Sequence, residues 1–214
     1  MRSRLYTPFR PIFDFILFFH RTPSDQYKKT AFCHILPSIG AKSRFFPFHH
    51  VADQYKTVEF QEDYPLHLNF ILKDFKEDDT GLEYIGARNQ QMGDGGVILQ
   101  LTDTASGQVI AVSHTDWACT VIHTAPLDKS CEREASPLAG TAPFAFTDLG
   151  EPDGWKSVDF DDSNWTAATA YSAQAVGPKD GYDEIHWDAS AQIIWGPDLE
   201  TDNTILRRVT VNAP

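Results

Sequence analysis

The histidines and acids that suggest catalysis lie within one stretch of the chain: His114, Asp116, His123 and Asp128. A nucleophilic triad requires a Ser or Cys beside the His and an acid that orients the imidazole. Ser113, Cys119 and Ser130 lie nearby, but no GxSxG elbow surrounds any of them. The nine-residue separation of the two histidines fixes no geometry across a strand and a loop. The stretch therefore favours solvated or structural histidines over a catalytic centre.

Carboxylates offer a second chemistry. Glycoside hydrolases use two of them across a cleft, about 5–9 Å apart. Asp161 and Glu184 are the acids that we consider for this role. Because sequence spacing does not define their separation, a glycan-directed hydrolase stays an alternative hypothesis, and the sequence favours a protein that is not an enzyme.

The acidic run 161–164 (DDSN) has two interpretations. Its side chains could ligate Ca²⁺, but the EF-hand spacing is absent. Asp, Ser and Asn routinely bond local backbone N–H groups, so we predict that the run caps a turn. We predict no cofactor, and only a structural Ca²⁺ ion stays open.

The cysteines leave two alternatives open. No CxxC pair is present, so a structural zinc site is not expected. Cys119 and Cys131 could form a disulfide if the protein is secreted, worth ~3 kcal/mol in the chain-entropy view. They could equally be reduced, buried small hydrophobes.

Charge divides the chain in two. The net charge is −12 over 214 residues, yet residues 1–50 carry eight Lys/Arg and two Asp, a net of +6, which leaves −18 for residues 51–214. Nine of the fifteen Phe also precede residue 50. We therefore predict a basic, Phe-rich leader or disordered segment over 1–50 and one domain over 51–214. The acidic body excludes a nucleic-acid partner, because such affinity comes from Lys/Arg against phosphates.

The stretch 11–19 (PIFDFILFF) follows a basic start, as the apolar region of a signal peptide does. Asp14 interrupts it, and no small-residue cleavage site follows. A bilayer span needs ~20 apolar residues, so we predict no transmembrane segment. Because an unbroken apolar run and a cleavage site are missing, the stretch favours a poorly ordered leader over a signal peptide. The acidic body suits an extracellular domain, so we predict a secreted or extracellular protein, and the sequence leaves its oligomeric state undefined.

Short strands separated by turn signals recur through the body. Leu66, Leu68 and Phe70 alternate with polar residues, as in a strand with one buried face. The stretches 97–101 and 109–112 flank TDTASGQ, which predicts a hairpin with Gly107 in a left-handed position. The Gly-rich stretch 93–96 lacks the P-loop pattern and predicts glycines at positive φ. The sequence thus predicts an all-β, antiparallel β-sandwich.

Three segments carry a resemblance to a known family: DGWKSVDFDDSNW (153–165), Ile194-Trp195, and Asn203 to Arg208. They resemble the W-x-x-x-x-F-D-D-S-x-W … W-I-W … N-x-x-x-R pattern of galactose-binding-like jelly-roll domains, which are accessory modules of secreted bacterial glycoside hydrolases. The likeness spans roughly residues 55–211. It implies a jelly roll with Trp155, Trp165 and Trp195 as fold signatures. The family's N-terminal hairpin pattern is missing, which implies an unpaired sheet edge.

The resemblance implies a non-catalytic carbohydrate-binding or structural accessory module, with a protein-interaction or adhesion domain as a further alternative. Aromatic faces stack on sugar C–H surfaces, and neighbouring polar groups bond hydroxyls. The candidate binding residues near loops are Trp187, Tyr182, Asp183, Glu184, Asp188 and Trp117.

Overall fold

The structure is a computed structural model that describes residues 12–19, 30–37, 46–51, 56–178 and 182–213, with the backbone alone for 12–59 and for 61. Its strands are β1 (Ile12–Phe19), β2 (Thr30–Pro37), β3 (Phe46–Val51), β4 (Lys56–Gln61), β5 (Leu66–Lys73), β6 (Leu82–Glu83), β7 (Gln91–Met92), β8 (Val97–Asp103), β9 (Val109–Val112), β10 (Ala118–Thr124), β11 (Thr147–Asp148), β12 (Thr166–Ala167), β13 (Thr169–Tyr171), β14 (Ile193–Trp195) and β15 (Asp202–Val211). A 3-10 helix (Lys129–Arg133) and one α-helix, α1 (Ala173–Val176), complete the described elements.

Two antiparallel sheets organise these described strands. The first sheet has the order β13-β14-β8-β1-β4, with β9 also paired to β8. The second has the order β11-β10-β15-β5-β2-β3, with β12 also paired to β10. β6 and β7 form a separate two-stranded ribbon. The prediction of an all-β sandwich is confirmed.

The main core lies between the two sheets. Strand β5 contributes alternate residues, among them Leu68 and Phe70, and β8 contributes Leu99 and Leu101 from the opposite sheet. These side chains are at most 2% exposed. Full burial of such a side chain is worth about 1.5–3 kcal/mol. The period-2 pattern of the sequence therefore marks the face of β5 that turns inward.

The second sheet also buries its outer face. Ile71, Ile122 and Leu206 form a second cluster there with Trp155, and Trp165 packs against it. These residues bring together outward positions of three strands, β5, β10 and β15, and the segment 151–165, which we call the outer cover. A layer on each face explains why β5 is buried without interruption from Leu68 to Leu72.

Three described strands, β1 to β3, come from the first 51 residues. β1 lies between β8 and β4 in the first sheet, and β2 lies between β5 and β3 in the second. The remaining parts of the predicted leader lie outside the described residues, and the boundary at residue 50 stays a prediction. No helix among the described residues is long and apolar enough to cross a membrane.

The β8–β9 hairpin forms as predicted, and Gly107 has φ +72°. The prediction for the Gly-rich stretch was wrong, because Gly93, Gly95 and Gly96 do not have positive φ. They allow close approach instead. A Cβ on Gly95 would lie 2.2 Å from the ring of Trp195, and one on Gly96 would lie 2.7 Å from Val176.

Candidate functional site

A cleft of about 400 Å³ lies between the outer cover and the second sheet, and we call it the outer-face cleft. It opens where β10 begins, because β15 pairs with β10 only as far as Arg208, and Val209–Val211 pair with β5 alone. Four chain segments line it: His67, Leu68, Asn69, Asp116, Trp117, Ala118, Val158, Phe160, Asp162, Arg208, Val209 and Thr210.

Arg208 fastens the outer cover to the second sheet. Its Nη1 donates to the Asp162 carboxylate and to the Phe160 carbonyl at 3.0 Å. Its Nη2 donates to the Ser157 carbonyl at 2.7 Å, and its Nε to Asn69 Oδ1 at 3.1 Å. The guanidinium also lies 5.3 Å from the Phe160 ring. One side chain, 9% exposed, thus fixes one wall of the cleft.

The outer cover is shaped by the turn that the acidic run forms. Asp161 accepts the Ser163 N–H at 3.0 Å, and its bonds from the Ser163 hydroxyl and then from this N–H lower the pKa of its carboxyl. The Trp155 and Trp165 rings then lie 6.1 Å apart over the sheet. The predicted backbone cap is confirmed. The tryptophans are packing residues as the motif implied, and Trp195 is equally buried in the main core.

The rim of the cleft is polar. The Asp116 side chain is 79% exposed, and its carboxylate lies 3.2 Å from His114 Nδ1. Across the cleft lining, His67 Nδ1 lies 3.0 Å from Thr210 Oγ1. Carboxylate, imidazole and hydroxyl groups therefore meet solvent beside the apolar surface of Val158 and Phe160.

Trp117 does not form the exposed platform that the sequence predicted. Its ring is 5% exposed and stacks on Phe70, with centroids 5.5 Å apart and an interplanar angle of 17°. The main core covers that face, so Trp117 contributes only to the wall of the cleft. The sequence could not show this contact, because Phe70 lies 47 residues away on β5.

The other predicted binding residues lie outside the cleft lining. Trp187 is half-buried, 6.3 Å from the Tyr182 ring, and its Nε1 donates to the Tyr182 carbonyl at 3.2 Å. Asp183 and Glu184 are exposed. Asp188 accepts the Ser190 N–H at 2.9 Å, and its bonds to Ser190 lower the pKa of its carboxyl. We call these residues the Trp187 surface: Tyr182, Asp183, Glu184, Trp187 and Asp188.

The four candidate catalytic residues lie in three separate parts of the fold. His114 and Asp116 form the exposed pair at the cleft. His123 is buried and stacks on Phe146, with centroids 5.7 Å apart; burial is the main reason that its pKa is lowered. Asp128 caps the 3-10 helix by accepting the Ser130 N–H at 2.9 Å. Their arrangement does not form a triad.

The cysteines are free thiols in two different clusters. Cys119 lies in the main core, and Cys131 packs with Leu82, Met92 and Phe144. Burial raises the pKa of both thiols. Of the two alternatives that the sequence left open, the structure shows reduced, buried side chains, and Cys119 and Cys131 do not form a disulfide.

A carboxylate group that the sequence analysis missed lies at the end of β5. One oxygen each of Asp74, Glu83 and Asp94 lies within 4.8 Å of the others. Burial, and then the charges of Glu83 and Asp94, raises the pKa of Asp74 well above its usual range. Hard oxygen atoms are Ca²⁺ ligands, yet a proton on Asp74 also relieves the repulsion. A structural Ca²⁺ ion therefore stays an open alternative to the prediction of no cofactor.

Comparison of the chain with protein-family models, with curated proteins and with solved structures finds no match. The resemblance to galactose-binding-like domains therefore stays a prediction that rests on the motifs themselves. The geometry of the cleft carries the argument on function.

Proposed function

We propose that this chain is a non-catalytic β-sandwich module that binds carbohydrate in the outer-face cleft. The observation that carries the proposal is the composition of its wall. Ring and aliphatic surface from Phe160 and Val158 lies beside the polar groups of His67 and Asp116. A sugar presents the same combination, C–H faces beside hydroxyl groups. The volume of about 400 Å³ falls in the range of small-ligand sites.

Rigidity supports binding in this cleft. The bonds from Arg208 to Ser157, Phe160 and Asp162 hold the outer cover in place before a ligand arrives. A preformed wall reduces the free energy that ordering side chains would cost on association.

The hydrolase alternative has no observation in its favour. Asp162 is ion-paired with Arg208, and Asp161 caps a turn. Neither Asp161 nor Glu184 is among the residues that line the cleft. A secreted location and a galactose-binding-like ancestry belong to the same proposal, and their support is the sequence motifs and the basic, apolar N-terminal pattern.

A glycan array with the purified full chain tests this function, followed by titration calorimetry with the best-binding glycan. We expect Asp116→Ala to weaken binding about tenfold, because a hydrogen bond to a charged group is worth about 1.5–3 kcal/mol. Asp183→Ala, an exposed acid on the Trp187 surface, is the matched control and should leave the affinity unchanged.

Thermal unfolding confirms that both variants fold. Loss of binding in Asp183→Ala and Trp187→Ala, with Asp116→Ala unaffected, would move the site to the Trp187 surface. An array on which no glycan binds the folded chain would refute the carbohydrate-binding function.

A further inference from the structure

The positive charge that lines the outer-face cleft is already hydrogen-bonded to groups of the protein itself. Among the described residues that line the cleft, Arg208 is the only Lys or Arg. Its three nitrogens make four hydrogen bonds, to Asn69, Ser157, Phe160 and Asp162. An acidic or sulfated sugar would have to break these bonds to reach the guanidinium.

The negative charge of the cleft is distributed differently. Asp162 is neutralised by Arg208. Asp116 belongs to the same lining, and its side chain is 79% exposed at the mouth. Its partner is the His114 imidazole, itself 45% exposed, so solvent and ligands can reach the carboxylate.

The remaining titratable group of the lining is His67, whose Nδ1 lies 3.0 Å from Thr210 Oγ1. A ligand therefore meets one accessible carboxylate, with imidazole and hydroxyl groups beside it. A carboxylate accepts a stronger hydrogen bond from an ammonium group than from a neutral hydroxyl.

We propose that the outer-face cleft selects saccharides that carry a free amino group, with Asp116 accepting the ammonium and the apolar wall contacting the sugar ring. This inference rests on the proposed function and names the ligand class for the same site. Uronic acids and sulfated sugars bind more weakly, because they meet Asp116 as a like charge.

The expected preference is modest. An exposed ion pair contributes little, so a glucosamine oligosaccharide should bind roughly three- to fivefold more tightly than its N-acetylated counterpart of equal length. The preference should decrease in 0.5 M NaCl, because salt screens exposed charges.

Titration calorimetry with the full chain tests this ligand class, using three probes of equal length: a glucosamine oligosaccharide, its N-acetylated form and an oligogalacturonate. In Asp116→Asn we expect the two amino-sugar forms to bind within twofold of one another. Asp183→Asn removes an equal charge from the Trp187 surface and should keep the preference.

Equal affinity for the free and acetylated forms, or a preference that survives in Asp116→Asn, overturns the inference. Tighter binding of the oligogalacturonate overturns it as well. In these cases binding at the cleft persists and the proposed function stands. Failure of every glycan to bind overturns both.

Discussion

Arg207 and Arg208 are neighbours on β15 and have opposite surroundings. Arg208 points to the outer face, where it makes four hydrogen bonds. Arg207 pairs in register with Cys119 and Phe70 on the main-core side and is 0% exposed. None of its guanidinium nitrogens has a hydrogen-bond partner in the described structure. Burial lowers the pKa of Arg207.

This difference shows that burial of a charge has no fixed effect on stability. A buried guanidinium without an acceptor lowers the free energy of unfolding by several kcal/mol. A guanidinium with a full set of hydrogen-bond acceptors can instead hold neighbouring segments of the chain together. Arg208 bonds the outer cover to the second sheet, whereas no described residue accepts a hydrogen bond from Arg207 to offset the cost of its burial.

The largest expected effect is at Arg208. Arg208→Met should lower the free energy of unfolding by about 3–5 kcal/mol, because it leaves three acceptors of the outer cover without their donor. Urea unfolding measures this change in the free energy of unfolding. Arg133→Met, which replaces an exposed arginine, is the control. A change below 1 kcal/mol would show that the cover docks without Arg208.

Arg207→Met should act in the opposite direction. Because no described side chain or carbonyl accepts a hydrogen bond from this buried charge, replacing it by an apolar chain of similar length should raise the free energy of unfolding by about 1–4 kcal/mol. The same urea experiment checks the sign. Destabilisation would mean that Arg207 has an acceptor, and the contrast with Arg208 would then disappear.

Asp74 is a buried acid. Unlike a buried arginine, it can lose its charge by binding a proton. Its pKa is raised in the folded state, so the folded protein binds more protons than the unfolded chain. Its contribution to stability is complete below its unfolded pKa of about 3.9 and is lost as the pH rises towards the folded value.

Asp74→Asn should therefore remove a pH dependence. Above pH 4 the wild type should lose up to about 1.4 kcal/mol per pH unit relative to the variant, until the folded pKa is passed. Urea unfolding at a series of pH values measures the two slopes. Parallel curves would contradict a protonated Asp74.

The smallest effect is expected at the partner of Arg208. Asp162→Asn should lower the free energy of unfolding by about 1 kcal/mol or less, because the carboxylate is 36% exposed and the carbonyl acceptors of Arg208 remain. Asp161→Asn is the matched control, since an amide oxygen can still cap the Ser163 N–H. Equal stability of the two variants would show that the ion pair contributes nothing.

Local signals explain what the sequence could predict. The turn formers before Gly107 and the Asx residues of the outer cover each act over a few residues, and each forms as expected. Alternation in β5 predicts the strand and its inward face, but the expectation of one buried face was wrong, because the outer cover also buries Asn69 and Ile71. The tryptophans of the motif pack as implied. Short-range chemistry determines these features, so no tertiary information is needed to find them.

The cleft could not be predicted in the same way. Its walls come from four segments, and Arg208 reaches Asn69 across 139 residues and Ser157 across 51. The carboxylate group at Asp74 also joins three separate segments. Such sites depend on register and packing, which no spacing in the sequence encodes. Trp117 was misassigned for the same reason.

The position of β15 has a consequence for folding. It lies between β10 and β5, so the middle of the second sheet forms from residues 202–211, after every other strand of that sheet has been synthesised. Until then, β5 and β10 each present an unpaired edge. Such edges favour aggregation, and pairing over long sequence separations is slow. A nascent chain that pauses before residue 202 would therefore be the species that most needs a chaperone.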